Sequence, residues 1–188
     1  MRKLVFANSK GGSGKTTLAI CVAAYLQSQG VRVSFIDLDP QQSAATLRKV
    51  VSLESLQGIA PASAPQIAVI DTPPYRSATL PDVFAGADLV IIPLQPTPID
   101  AAAVRAIVSE CSAAGVRFAL VLNRVKPGAT LTALVRESLE SQGLPVMRAE
   151  IHDRIAYQRA TVSGRIEDKA LAEIAALTGE ILRLIAST

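Results

Sequence analysis

Tryptophan is missing from this 188-residue chain, histidine occurs once, and cysteine and methionine occur twice each. Aromatic residues make up only 4% of it against 49% hydrophobic residues overall, so the core has to be aliphatic. Cys21 and Cys111 each lie inside an Ala/Val/Ile-rich helical pattern. They read as small buried hydrophobes rather than as a disulfide or a metal pair, which fits a reducing, cytoplasmic setting. No apolar run reaches the roughly 18 residues that a membrane span needs. The amino terminus runs straight into a strand pattern, so no signal peptide is expected. Neither sign of charge dominates: 19 Lys and Arg against 16 Asp and Glu give +3. That balance permits an anionic partner without demanding one. Internal repeats and low-complexity tracts are also absent, "APASAP" (60–65) being only a proline-punctuated loop. No linker divides the sequence, and a single domain over 1–188 is expected, long enough to bury about 70% of its unfolded surface.

What is present is alternation. Short aliphatic runs at 3–7, 31–37, 67–71, 88–93 and 116–123 predict strands buried on both faces. Helical patterns lie near 16–29, 42–57, 77–86, 98–114 and 129–142, several closed by a glycine (Gly30, Gly115, Gly143). Strand and helix in repeated alternation predict an α/β fold: a parallel, doubly wound sheet in three layers, with helices on both faces. In such sheets ligands bind beyond the carboxyl ends of the strands. The chemistry-bearing residues fall there: 9–17 after the first strand, 37–41 after the second, 71–74 after the third, and Asn123 at the end of the fifth.

The first of these stretches, "ANSKGGSGKTT", nearly fits the phosphate-binding loop G-x-x-x-x-G-K-[ST]. Gly14, Lys15 and Thr16 match, but the opening position holds Ser9, followed by an additional lysine, Lys10. Gly11, Gly12, Ser13 and Gly14 let backbone N–H groups turn toward phosphate oxygens at a helix amino terminus. Lys15 is placed to pair with β- and γ-phosphates, and the Thr16 hydroxyl to ligate Mg²⁺. Asp71 ends the run "IAVID", where a carboxylate holds Mg²⁺ directly or through water. Asp37 and Asp39 in "FIDLDPQ" are two residues apart and so share one side of an extended chain. One would support the metal while the other orients an attacking water.

"KGGSGKTT", "DLDPQ" and "DTPP", in this order, resemble the deviant Walker A, A′ and B motifs of the ParA/MinD superfamily of P-loop ATPases. The likeness extends through "PLQPTPIDAAA" (93–103) and "IHDRIAYQRATVSG" (151–164), and is nearest to the small ParA-type partition and positioning ATPases. The resemblance implies ATP and Mg²⁺ as cofactors, with hydrolysis slow until a partner protein stimulates it. It implies a homodimer with ATP sandwiched at the interface, where Lys10 reaches the phosphates bound by the partner subunit. By the same resemblance Thr17 touches the α-phosphate, Asp39 orients the water, and Asp37 supports Thr16 and Mg²⁺. Asn123 lies near adenine, or else is simply a turn residue. "TPPYRSAT" (72–79) is a candidate switch reporting the γ-phosphate.

ParA relatives hold DNA without sequence preference when ATP-bound, which implies nucleoid association in a cytoplasmic protein and an activating adaptor linked to a cargo. From Arg117 to Arg165 the chain carries eight basic residues against four acids. Arg148, Arg154, Arg159 and Arg165 are the candidates for DNA, the alternative being an ordinary solvated basic surface. Without aromatic interleaving or a helix-turn-helix extension, sequence-specific readout is not expected. A MinD-like membrane cycler is the rival within the superfamily. The amphipathic tail after Ile166 has Leu171, Ile174, Leu177, Ile181 and Ile185 on one stripe, but its polar face is mostly acidic (Glu167, Asp168, Glu173, Glu180), so no membrane contact is expected. A metabolic P-loop ligase or kinase is the rival from another class. His152 is expected to be a surface or helix-edge residue rather than a general base.

Overall fold

The computed structural model describes residues 1–39, 66–74, 80–163, 165–166 and 168–187. The helix expected at 42–57, Gln41, Glu167, and residues 75–79 of the expected switch lie outside them. Among the described residues, β1 (Arg2–Phe6), β2 (Val33–Asp37), β3 (Ile67–Asp71), β4 (Leu89–Leu94), β5 (Phe118–Val125) and β6 (Val146–His152) form one sheet in the order β2-β3-β1-β4-β5-β6. Every pairing is parallel. Five of the strands match the expected bounds to within two residues, but β2, at one edge of the sheet, is not buried on both faces, with Ile36 exposed; β6 was not expected.

The pleat divides the core in two. Leu4 and Phe6 of β1, Leu89 and Ile91 of β4, and Ala119 and Val121 of β5 face one cluster. It is completed by α1 (Lys15–Ser28), α5 (Ile155–Ser163) and α6 (Asp168–Ala186). Val5, Val90, Ile92, Leu120 and Leu122 point the other way, to α2 (Leu80–Ala85), α3 (Pro98–Ala113) and α4 (Thr130–Ser141). Helices therefore cover both faces, and the central strands β3 and β4 are buried along their whole length, which is why they read as unbroken apolar runs. Gly30, Gly115 and Gly143 follow α1, α3 and α4 with left-handed backbones, so each helix ends where a Cβ would resist the turn.

Strand β6 lies on the edge of the sheet, and α6 secures it. Glu180 accepts from the backbone N–H groups of Arg148 (2.9 Å) and Ala149 (2.7 Å), where the register with β5 shifts. One turn pair earlier on α6, Glu173 accepts from the His152 N–H at 3.1 Å, the Tyr157 hydroxyl at 2.6 Å and the Arg154 guanidinium at 2.6 and 2.8 Å. These two carboxylates occupy edge donors that would otherwise be open to another strand. Helix α6 departs from the expected pattern in two respects. Ala170, Ile174, Leu177, Ile181 and Ile185 form the buried stripe, whereas Leu171 is 41% exposed. Glu173 and Glu180 do not belong to a solvated polar face; they point at β6. Cys21 and Cys111 are both buried and unbridged, as expected, and burial pushes each thiol up to about 12.

Candidate active site

Strand β1 is central, and the chain leaves it between β3 and β4, which run on to opposite sides of the sheet. A crevice opens at such a reversal. The loop from Asn8 to Gly14 spans it, and two buried asparagines hold that loop in place. Asn8 donates through Nδ2 to the Pro93 carbonyl oxygen at 2.7 Å and accepts from the Lys10 N–H at 3.0 Å. Asn123 donates through Nδ2 to the Ser13 carbonyl oxygen at 2.7 Å while its Oδ1 accepts from the Arg124 N–H. Asn123, expected either near adenine or as a turn residue, thus lies against the loop backbone with both polar atoms engaged. Gly14 is required twice over: its φ is 95°, and a Cβ there would lie 2.1 Å from Asn123 Nδ2.

Helix α1 starts directly after Gly14 without a side-chain cap and without an acidic residue in its first turn. Its amino-terminal N–H groups and positive dipole end are left for an anion. Lys15 is buried beneath the loop, with Nζ 3.4 Å from the Lys10 carbonyl oxygen, a long contact that a phosphate oxygen could replace. Burial lowers the Lys15 pKa, an effect opposed by Asp71 and Asp39. The neighbouring Thr16 hydroxyl donates to Asp71 Oδ2 at 2.6 Å.

Asp71 closes β3 opposite Asp37, its register partner on β2. Its second oxygen, Oδ1, is buried without a hydrogen-bond partner. Burial pushes the Asp71 carboxyl up to about 7; the Thr16 hydroxyl and Lys15 pull it down, while Asp37 and Asp39 push it further up. An orphaned, desolvated carboxylate oxygen beside a threonine hydroxyl suits a small, hard cation. Among the described residues no group of three His, Cys, Asp or Glu stands ready to cage a metal. A cation here would therefore take the rest of its oxygens from water and a bound phosphate. Asp37 Oδ1 accepts from the Asp39 N–H at 2.9 Å, so the two acids are joined through a turn, and Asp39 is buried.

Lys10 has a partner that the motif did not announce. Its Nζ lies 2.8 Å from Asp100 Oδ2 in the first turn of α3. The signal for Asp100 was present in "TPID": Thr97-x-x-Asp100 has the form of a capping box, and Thr97 caps α3 by accepting from the Asp100 N–H at 3.1 Å. Asn8 carried no such signal, since a buried amide at a strand end belongs to no motif.

Of the basic candidates, Arg148, Arg159 and Arg165 are exposed. Arg154 has its guanidinium on Glu173, and Arg136 is paired with Glu150 at 2.9 Å. His152 is half-buried at the end of β6, three strands from β1 in the sheet, with Nδ1 3.0 Å from Glu173. Thr17 and Ser9 are part-buried flanks of the loop, and the Ser13 hydroxyl is buried without a partner.

Residues 4–166 match the family model of the CobQ/CobB/MinD/ParA nucleotide binding domain. The chain is 30% identical over 178 residues to the "Maintenance of carboxysome distribution protein A" of Gloeobacter kilaueensis, covering 87% of this chain and 82% of that protein. Its fold is similar to that of McdA from Cyanothece in complex with ATP (TM-score 0.78, 15% identity, covering 99% of this chain and 96% of that one). It is also similar to a putative plasmid partition protein from Borrelia burgdorferi bound to AMPPNP (TM-score 0.76, 17% identity, covering 97% and 98%).

Proposed function

The chain belongs to the CobQ/CobB/MinD/ParA nucleotide-binding family, and from that premise we propose that it is an ATP hydrolase of the ParA type. It dimerises around MgATP, then holds DNA without regard to sequence and positions a cargo. The observation that carries this reading is the uncapped amino end of α1, which meets the Thr16–Asp71 pair in one crevice.

The amides of Gly11 to Thr16 would hold the phosphates, with Thr17 contacting the α-phosphate. Lys15 exchanges its long contact with the Lys10 carbonyl for the β- and γ-phosphates. Thr16 and Asp71 would hold Mg²⁺, with Asp37 across the β2–β3 register supporting them. The cation, when bound, offsets the charge that builds up on the transferring phosphoryl group. Asp39 accepts a hydrogen bond from the attacking water and orients it. Lys10 supplies a charge to the nucleotide held by the partner subunit, which ties dimerisation to ATP. Turnover stays slow until a cargo-linked adaptor arrives.

The names of the relatives support positioning or partition as the task. Carboxysome distribution in one relative and plasmid partition in another define the kinds of cargo to test. The proposed location is the cytoplasm, on the nucleoid in the ATP state. DNA contacts fall to Arg148, Arg159 and Arg165, while Arg154 secures the start of α5 through Glu173. A membrane cycle is less well supported: the apolar stripe of α6 is already buried in the core, and no helix among the described residues is long and apolar enough to cross a bilayer.

Gel filtration and DNA binding with ADP, ATP and a slowly hydrolysed analogue test the reading. It expects a dimer and DNA retention with ATP and the analogue only. Phosphate release without any second substrate separates a hydrolase from a ligase or kinase. Equal DNA binding in ADP and ATP, or binding to anionic liposomes instead, would overturn it.

A further inference from the structure

Asp100 is 2% exposed, an unusual place for an acid in the first turn of a helix, whose charge ordinarily stays in water. Its Oδ2 receives the Thr97 hydroxyl and the Lys10 ammonium, and its Oδ1 is buried with no hydrogen-bond partner. Capping alone does not need this. The Thr97 oxygen already receives the Asp100 N–H, and an amide or a hydroxyl at position 100 would sit in the same turn without a buried charge. The feature that requires a carboxylate is Lys10. Its side chain is 41% exposed on the outer side while the ammonium rests on the buried oxygen, so the pair joins the protein interior to the loop's outer surface. The Lys10 backbone is held separately, by Asn8, so the side chain can leave Asp100 without unseating the loop.

The geometry points to Asp100 as the resting partner of Lys10. In the single subunit it folds the Lys10 ammonium back onto α3, and the ATP-bound dimer forms by exchanging that carboxylate for phosphate oxygens of the partner's nucleotide. Asp100 is thus a positioning residue that acts through Lys10 and sets the concentration at which the dimer forms. This rests on the cross-subunit reading of Lys10. A subunit that must first surrender a charge-assisted contact dimerises less readily than one whose lysine is already released.

The test is sedimentation at saturating ATP across a protein dilution series, using Asp100→Asn, Lys10→Ala and the double variant. Asp100→Asn keeps shape and cap but removes the charge. It should bring the dimer midpoint to a concentration about tenfold lower or more, the scale of one charge-assisted hydrogen bond per subunit. In the Lys10→Ala background the same substitution should bring no gain, an outcome that a purely structural role for Asp100 would not produce. Should Asp100→Asn unfold, as judged by its melting curve, Asp100→Ser removes the charge while keeping a residue suited to a helix start. An unchanged or weaker dimer in the folded charge-removed variant overturns the proposal, as does a gain that persists without Lys10. A normal dimer in Lys10→Ala alone refutes the cross-subunit reading itself, so the two failures are told apart.

Discussion

At the scale of single residues, the loop makes two kinds of demand, one on charge and one on space. Lys15→Ala removes the buried ammonium beneath the loop, and MgATP binding should fall below detection by calorimetry. Asp39→Ala should still bind ATP and dimerise, while turnover drops by about 10²-fold or more, the scale of a lost acid/base group. Normal hydrolysis in that variant would move the water-orienting role to Asp37. The spatial demand is at Gly14, where a methyl group would meet Asn123 Nδ2 at 2.1 Å and the backbone is left-handed. Gly14→Ala should cost at least about 1–2 kcal/mol from the backbone alone. Adding Asn123→Ala should then cost less than it does in the wild-type chain, because the clash is gone; strictly additive melting shifts would contradict this coupling. The glycines, Lys15 and Thr16 were legible because phosphate chemistry imposes them at fixed spacing. Asn8 and the pairing of Asp100 with Lys10 were not, because each depends on a partner more than eighty residues away in sequence that only the fold brings near.

The elements show the same division. The strands buried on both faces announced themselves as unbroken aliphatic runs, and three helix ends as glycines. Strand β6 escaped because it alternates: Met147, Ala149 and Ile151 are buried, and Arg148, Glu150 and His152 take the alternate positions. That period of two was in the sequence, but a search for continuous apolar runs passes over it. What secures β6 is polar and long-range, namely Glu173 and Glu180 of α6, so the acidic residues that looked like a solvated helix face are in fact its anchors. The hydrogen bonds from Arg154 and Tyr157 outweigh burial and hold the Glu173 carboxyl below its ordinary value of 4.5. A carboxyl lowered in the folded state stabilises the fold fully above that ordinary value and loses the contribution as pH falls through the lowered one. Glu173→Gln should therefore lower stability near neutral pH by about 2 kcal/mol. Its melting temperature should fall by about 4–8 °C, and the gap to wild type should close as pH falls through the lowered Glu173 value. A gap independent of pH would show that shape, and not charge, secures the edge.

For the whole molecule, the proposed function makes nucleotide, dimer and DNA one chain of dependence. On that proposal the basic residues of one subunit would give weak contact with phosphate backbones, and two subunits joined by ATP would present twice as many at once. Arg159→Glu and Arg165→Glu should weaken binding to every DNA sequence alike and flatten its salt dependence while leaving ATP binding intact. Arg154→Glu should instead damage stability, since it places a second carboxylate against Glu173. Sequence-dependent losses in filter binding would contradict non-specific contact. The central claim is that ATP joins two subunits through Lys10. Sedimentation velocity of wild type and Lys10→Ala, each with ADP and with saturating ATP, tests it most directly. Wild type should dimerise with ATP alone, and the variant should bind ATP nearly as well yet dimerise about 10²-fold more weakly, two charge-assisted contacts being lost per dimer. A Lys10→Ala dimer as tight as wild type at saturating ATP would contradict it.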